Sequence, residues 1–417
     1  MPFTMSTISI WAIAALATAG VIVRPFRWPE AVWAVAGAAL LVIGGLVPLR
    51  AALSAVGRGS DVYLFLAGMM LLSEIARREG LFDWLASHAV KAADGSTQRL
   101  FRLVYGVGIA VTAILSNDAT AVVLTPAVFA ATSKARVDPL PFLFICALVA
   151  NAASFVLPIS NPANLVVYDG HMPSLLTWLA HFLVPSLFAI GATFFALRWM
   201  ERDRLTGPCL TGIEMPPLSF GGRIAFAGIA ATAFVLLGVS ALNVALGLPT
   251  AVMGVATVAI VLLVERKGPW PVVRHVSWSI LPLVAGLFVL VEAVVRTGAI
   301  ALLSHALHAA AARSETGTAA AAGGAIALAA NLMNNLPAGL VASSALAHAP
   351  GRVIDSVLIG VDLGPNLSVT GSLATILWLA AIRREGEDVS FWRFLKVGAI
   401  VTPPALVLAL AARLLIG

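Results

Sequence analysis

Residues 99–133 read RLFRLVYGVGIAVTAILSNDATAVVLTPAVFAATS, an apolar stretch interrupted at mid-length by Ser116-Asn117-Asp118. A second apolar stretch, residues 316–349, is interrupted in the same way by Asn334-Asn335. Each is followed by another broken run: Pro158-Ile159-Ser160-Asn161-Pro162, and Leu363-Gly364-Pro365-Asn366 continuing to Thr370-Gly371-Ser372. Lipid cannot hydrogen-bond loose backbone, so broken helices at membrane depth persist only where protein or a watery cavity satisfies them. Paired breaks at matching positions in two halves point to the binding site of a secondary transporter.

The rest of the chain fits that setting. It is 60% hydrophobic and 11% charged, with a mean hydropathy of +0.97, outside the globular range. Apolar runs long enough to span a bilayer recur from end to end. Residues 8–23 are apolar, no Lys or Arg precedes them, and Arg24 and Arg27 follow. That polarity is opposite to a cleaved signal and predicts a first helix retained in the protein, with its N-terminus outside. The net charge of +6 does not indicate a nucleic-acid partner, because the 26 basic residues sit in short loops between apolar runs, where they set topology. Two cysteines, Cys146 and Cys209, make no disulfide framework.

Residues 61–80 align with residues 279–298, with identical pairs Ala67/Ala285, Gly68/Gly286, Leu72/Leu290, Glu74/Glu292, Arg78/Arg296 and Gly80/Gly298. One residue of slippage later, Asn117 falls on Asn334 and Asp118 on Asn335, and further on Ser160 falls on Thr370. One module is used twice. A helix over each first stretch would be about 50 Å long against a hydrocarbon core of about 30 Å. The alternative is a re-entrant hairpin, and positive charge chooses between the two. With both stretches re-entrant, 20 of the 26 basic residues fall on the cytoplasmic side; with both spanning, 13 do. The positive-inside rule selects hairpins.

The expected fold is therefore an all-α polytopic membrane protein of about ten spanning helices plus two hairpins. It is built as two inverted five-helix repeats, each with a hairpin and a broken helix. Residues 1–200 form the first repeat (hairpin 99–133, broken helix 140–169), and residues 201–222 a cytoplasmic linker. Residues 223–417 form the second repeat (hairpin 316–349, broken helix 353–382), and both termini lie outside. The hairpin tips are expected to meet near the midplane.

The breaks supply the candidate site. Ser116 and Asn117 sit at the N-terminus of the helical run that follows them, with free N–H groups and positive dipole. Asn334 and Asn335 form the counterpart tip, with Pro337 suited to a first helical turn. Ser160 and Asn161, between two prolines, and Thr370 and Ser372 occupy the unwound stretches. These eight residues are the expected substrate ligands. Asp118 and Asp362, carboxyl groups at membrane depth, are the expected proton-coupling residues. The plainer reading of Asn117 and Asp118 is helix capping, and that of Asp362 is a carboxylate satisfied by local backbone. Glu74, with Arg77 and Arg78 at i+3 and i+4, and Glu292, with Arg296 at i+4, are explained by helix-surface pairing. His171, His305 and His308 show no metal-ligand spacing. No nucleotide-binding, metalloprotease or serine-hydrolase motif occurs, so no catalytic residue, metal or cofactor is expected.

Met333-Asn334-Asn335-Leu336-Pro337, the run Ile359-Gly360-Val361-Asp362-Leu363-Gly364-Pro365, and Gly371-Ser372-Leu373-Ala374-Thr375-Ile376-Leu377-Trp378 closely resemble the arsenite efflux permease family (ArsB) of the ion transporter superfamily. Asn117-Asp118-Ala119 with Leu124-Thr125-Pro126 is similar to that family's Asn-Asp-Gly and Leu-Thr-Pro segments. The resemblance implies export of trivalent arsenite and antimonite across the bacterial inner membrane, driven by protons. It also implies docking of a soluble arsenite-stimulated ATPase in some bacteria. Asn151 stands where better-known permeases carry an acidic residue. High-affinity capture of thiophilic trivalent arsenic would need several thiolates, whereas a neutral trihydroxide can be held by Asn, Ser and Thr hydrogen bonds weakly enough to be released. Within the superfamily, a sodium/proton antiporter or a carrier for small anions fits the same residues. A membrane enzyme would need a nucleophile–base pair or metal cluster, and a channel a continuous polar path; neither is legible.

Overall fold

The computed structural model describes residues 5–168, 172–210, 217–242, 244–347 and 349–416, with Arg27 given by its backbone alone. These residues are helical throughout, apart from turns and one isolated bridge between Ser96 and Pro208. The first half runs α1 (Met5–Val23), α2 (Glu30–Ile43), α3 (Leu49–Arg58), α4 (Ser60–Arg78), α5 (Leu81–Ala93), α6 (Thr97–Ile114), α7 (Asn117–Ala119), α8 (Thr125–Lys134), α9 (Leu140–Ala152), α10 (Pro162–Val167) and α11 (Leu175–Met200). A π-helical turn, Thr120–Leu124, joins α7 to α8, and a 3-10 turn, Pro158–Ser160, precedes α10. The second half runs α12 (Phe220–Ala241), α13 (Gly247–Glu265), α14 (Trp270–His275), α15 (Ile280–Arg296), α16 (Ala299–Arg313), α17 (Glu315–Met333), α18 (Asn335–Ala345), α19 (Gly351–Leu363), α20 (Leu373–Arg384) and α21 (Phe391–Ile416), with a 3-10 turn at Gly364–Leu367.

The order of elements repeats. Gly80 (φ 76°) and Gly298 (φ 79°) take the left-handed conformation at the matching turns, α4 to α5 and α15 to α16, where a side chain would be strained. Ser96 and Ser314 cap α6 and α17. Packing between the halves is reciprocal: α4 lies on α13 while α15 lies on α2, and α10 lies on α18 while α20 lies on the π-turn and α8. The two 26-residue helices, α11 and α21, pack on each other. His181, in the second turn of α11, lies beside Asp355, which also pairs with Arg413 near the end of α21. Corresponding last helices therefore run antiparallel.

Among the described residues, six helices (α1, α11, α12, α13, α17 and α21) are long and apolar enough to cross a bilayer. Two bent pairs, α3–α4 at 48° and α15–α16 at 74°, would bring the number to eight. Ten spans do not emerge on length and apolarity alone. Helix α2 has only 14 residues, and the two interrupted helices are divided at their breaks. Helix α17, expected as one arm of a hairpin, has spanning length by itself. The flanks of the first interrupted stretch are held together. Cys209 N–H donates to the Gly95 carbonyl (3.0 Å) and the adjacent Leu210 N–H to the Ala135 carbonyl (2.9 Å), so one short segment ties both ends together. Cys209, the residue that makes the first of these bonds, is buried.

Candidate functional site

Helix α6 ends at Leu115 (φ −102°, ψ −84°), and Ser116 is extended before the chain re-enters a helix at Asn117. Ser116 Oγ accepts from Ala119 N–H (3.2 Å), and Asn117 Oδ1 accepts from Asp118 N–H (2.9 Å). These two side chains do the capping. The Asp118 carboxylate is left free of that task and faces a cavity of about 520 Å³. Thr112 and Thr120 share a hydrogen bond (2.7 Å) across the bend, and the π-turn begins at Thr120. One-turn π insertions in α-helices are frequent at functional sites. The cavity lining includes the Phe65, Met69, Ser73, Glu74, Ser116, Pro162 and Leu377 side chains, and the exposed Arg77, His275, Arg384 and Glu385 mark its mouth.

Asp362, fully buried in α19, does not line the cavity. Its Oδ1 accepts from Asn161 Nδ2 (2.8 Å), and Asn161 Oδ1 in turn caps α10 by accepting from Ala163 N–H (3.0 Å). Asp362 Oδ2 has no hydrogen-bond partner among the described residues. The Ser160 hydroxyl donates to the Ala113 carbonyl of α6 (3.0 Å), which ties the first tip to this break. Asn164 Nδ2 closes the unwound loop onto the carbonyls of Ser154 (2.9 Å) and Pro158 (3.2 Å). One layer further on, Asn151 Nδ2 donates to Asn366 Oδ1 (3.0 Å), and Asn366 Nδ2 donates to the Leu148 carbonyl (3.0 Å). Each half thus offers its broken helix to the other.

The second tip is elsewhere. Asn334 (φ 75°, ψ 155°) caps α18, and it borders a void of about 10 Å³ with Val21, Glu30 and Pro337. Asn335 is buried, and its Oδ1 has no hydrogen-bond partner among the described residues. Thr370 Oγ1 donates to the Asn331 carbonyl (3.2 Å), and Ser372 forms a reciprocal cap with Thr375 at the start of α20. Of the ten expected site residues, the cavity gathers Ser116 and Asp118. Ser160, Asn161 and Asp362 form a sealed cluster beside it. The two tips do not meet in one open site, because the second is closed over by α1, α15 and α20.

Four residues escaped the sequence reading. Asp355 in α19 and Arg413 in α21 are a buried ion pair, joined by Tyr168 and His181. The available signal was a charge inside each of two apolar runs. His171 lies outside the described residues. Cys146 and Cys209 are buried apart from the cavity.

An all-helical, multi-pass membrane protein with interrupted helices packed reciprocally around a cavity is a transporter. The chain belongs to the CitMHS family, described as citrate transporter, which matches residues 12–381. It is 28% identical over 359 residues to an arsenical pump membrane protein of Yersinia enterocolitica, spanning 82% of this chain and 83% of that one. It is 26% identical over 359 residues to an arsenical pump membrane protein of Escherichia coli, with the same coverage. A transporter of Mycobacterium tuberculosis is 26% identical over 368 residues, 84% of each chain. Among solved structures, the YdaH transporter of Alcanivorax borkumensis is similar in fold, with a TM-score of 0.60 at 14% identity over 90% of this chain and 89% of that one.

Proposed function

We propose that this chain exports trivalent arsenite and antimonite from the cytoplasm in exchange for protons, by alternating access between two inverted repeats. The observation that carries the reading is the presence of two carboxyls at the breaks, Asp118 lining the cavity and Asp362 buried outside it on Asn161, the residue before the cavity-lining Pro162. The two carboxyls stand on segments from opposite halves, so a rocking motion would change the exposure of both. The lining offers hydroxyl and carboxyl groups and no thiol, which suits a neutral trihydroxide held by hydrogen bonds. The relatives named arsenical pump membrane protein support this cargo. The mouth of the cavity, with Arg77 and Arg384, lies on the side that charge distribution assigns to the cytoplasm. Ser116, Asn117, Ser160, Asn161, Asn334, Asn335, Thr370 and Ser372 then contact cargo at different stages of the cycle. The closed second tip belongs to the half of the cycle not seen.

A second reading has its own support. Arg77, His275 and Arg384 at the mouth would attract an anion, and the family description is citrate transporter. Asp118 in the lining opposes a multiply charged carboxylate. The test is uptake into everted vesicles carrying the purified chain. Labelled arsenite should accumulate when a proton gradient, acid inside, is imposed, and accumulation should stop when the gradient is collapsed. Gradient-driven citrate movement with no arsenite accumulation would replace the first reading with the second.

A further inference from the structure

The Asp355 cluster has no part in the site described so far. Arg413 Nε and Nη2 both reach Asp355 Oδ2, at 2.8 and 2.6 Å, and His181 Nδ1 lies 2.9 Å from the same oxygen. The Tyr168 hydroxyl donates to Oδ1. Asp355 and Arg413 are only 2% and 3% exposed, so this is a charge pair withdrawn from solvent and held by four helical segments. Two of those segments are the ones that carry the sealed site. Asn161 bonds Asp362 and Tyr168 bonds Asp355, and both partners are seven residues apart along their chains. Seven residues are two helical turns, about 10.5 Å on one face. The two bonds are therefore rungs of a single antiparallel register, and Leu165 and Leu358, both buried, fall halfway between them.

The cluster stands at the opposite end of the molecule from the cavity mouth. Helix α21 starts a few residues after Arg384, which lines the mouth, and runs from Phe391 to Arg413, about 33 Å at 1.5 Å per residue. We propose that Asp355, Arg413, Tyr168 and His181 form the gate that closes the path to Asn161 and Asp362 on the face away from the cavity. Leu165 and Leu358 plug that path beneath the gate. The proposal rests on the alternating-access reading above. Tyr168 and Asp355 move with the broken helices, while Arg413 and His181 belong to the long antiparallel pair α11 and α21. Opening that face then requires the ion pair to part. A buried pair suits a gate because it is held strongly while desolvated and is repaid by water once parted.

The test reads accessibility, with no cargo present. In a chain with Cys146→Ser and Cys209→Ser, Leu165→Cys and separately Ser73→Cys, in the cavity wall, are exposed to a membrane-impermeant thiol reagent from each face. Ser73→Cys defines the cavity face. Adding Asp355→Asn should raise the labelling rate of Leu165→Cys from the other face about tenfold, equivalent to about 1.4 kcal/mol. Tyr168→Phe, which leaves the ion pair in place, should raise it about threefold, and it carries the test if Asp355→Asn fails to reach the membrane. Unchanged labelling from that face in the variants that accumulate normally, or a rise only from the Ser73 face, would overturn the gate. Arsenite accumulation without the labelling change defeats the gate alone. A labelling change without arsenite accumulation defeats the cargo assignment and leaves the gate standing.

Discussion

Asp118 opens onto the cavity and Asp362 does not, and this decides what substitution should do at each. Because Ser116 and Asn117 already supply the caps, the Asp118 carboxylate is not needed to start the helix. Asp118→Asn should leave membrane abundance unchanged and cut gradient-driven arsenite uptake at least about tenfold, the loss of about 1.4 kcal/mol of coupling. Uptake measured at several pH values decides it; wild-type rates and pH dependence would remove Asp118 from the mechanism. Asp362→Asn keeps an acceptor for Asn161 and puts an NH2 beside the Ser154 hydroxyl, which donates to the Asn151 carbonyl and is free to accept. The fold keeps its hydrogen bonds while the carboxyl is lost, so transport should fall while thermal stability stays within about 1 kcal/mol of wild type. The double variant Cys146→Ser, Cys209→Ser should transport antimonite at the wild-type rate when protein levels match, because neither thiol lines the cavity. Poor export by that variant would argue against recognition through hydroxyls. At this scale the sequence reading was uneven. The pairing of Glu74 with Arg77 and Arg78 (2.7 and 3.4 Å), and of Glu292 with Arg296 (2.8 Å), followed from spacing along one helix. The bonds from Asn161 to Asp362 and from Asn151 to Asn366 join residues about half a chain apart, and no local pattern encodes them.

Helix contacts explain why Gly68 and Gly286 are identical in the repeat. A Cβ on Gly68 would fall 2.3 Å from the Thr250 carbonyl oxygen of α13, and one on Gly286 2.7 Å from the Ala34 carbonyl carbon of α2. Each glycine lets a helix of one half touch the backbone of the second helix of the other, the small-residue contact on which membrane helices rely. Gly68→Val and Gly286→Val should each lower stability by about 1–3 kcal/mol, the cost of overpacking a close contact. The measurement is the melting temperature of the detergent-purified protein by monodisperse fraction. A clear asymmetry between the two would mean that the halves do not pack reciprocally. At these two contacts equal packing demands go with equal residues, which is why the aligned segments share their glycines. The π-turn at Thr120–Leu124 directly precedes Thr125 and Pro126, and a proline without an N–H inside a helical run breaks the regular hydrogen-bond ladder just before it.

For the whole molecule, the question is how the stretch of residues 99–133 crosses the membrane. Two independent observations bear on it. Making both interrupted stretches re-entrant puts 20 of 26 basic residues on one face, against 13 if both cross. The amides of Cys209 and Leu210 hold Gly95 and Ala135, the flanks of the first stretch, within one residue of each other. Such a tie is incompatible with flanks on opposite sides of about 30 Å of hydrocarbon. In the cysteine-free chain, Gln98→Cys and Arg136→Cys should therefore be labelled by an impermeant reagent from the same face, the one rich in Lys and Arg. Inversion of the repeats adds a sharper expectation. Arg313→Cys and Arg352→Cys, flanking the second stretch, should share a face with each other and label only from the opposite side to the first pair. Right-side-out and inside-out vesicles compared at equal protein give the answer. Labelling of Gln98→Cys and Arg136→Cys from opposite faces would make the first stretch a span. Labelling of all four positions from one face would leave two hairpins without inversion, and the antiparallel course of α11 and α21 would then need another cause.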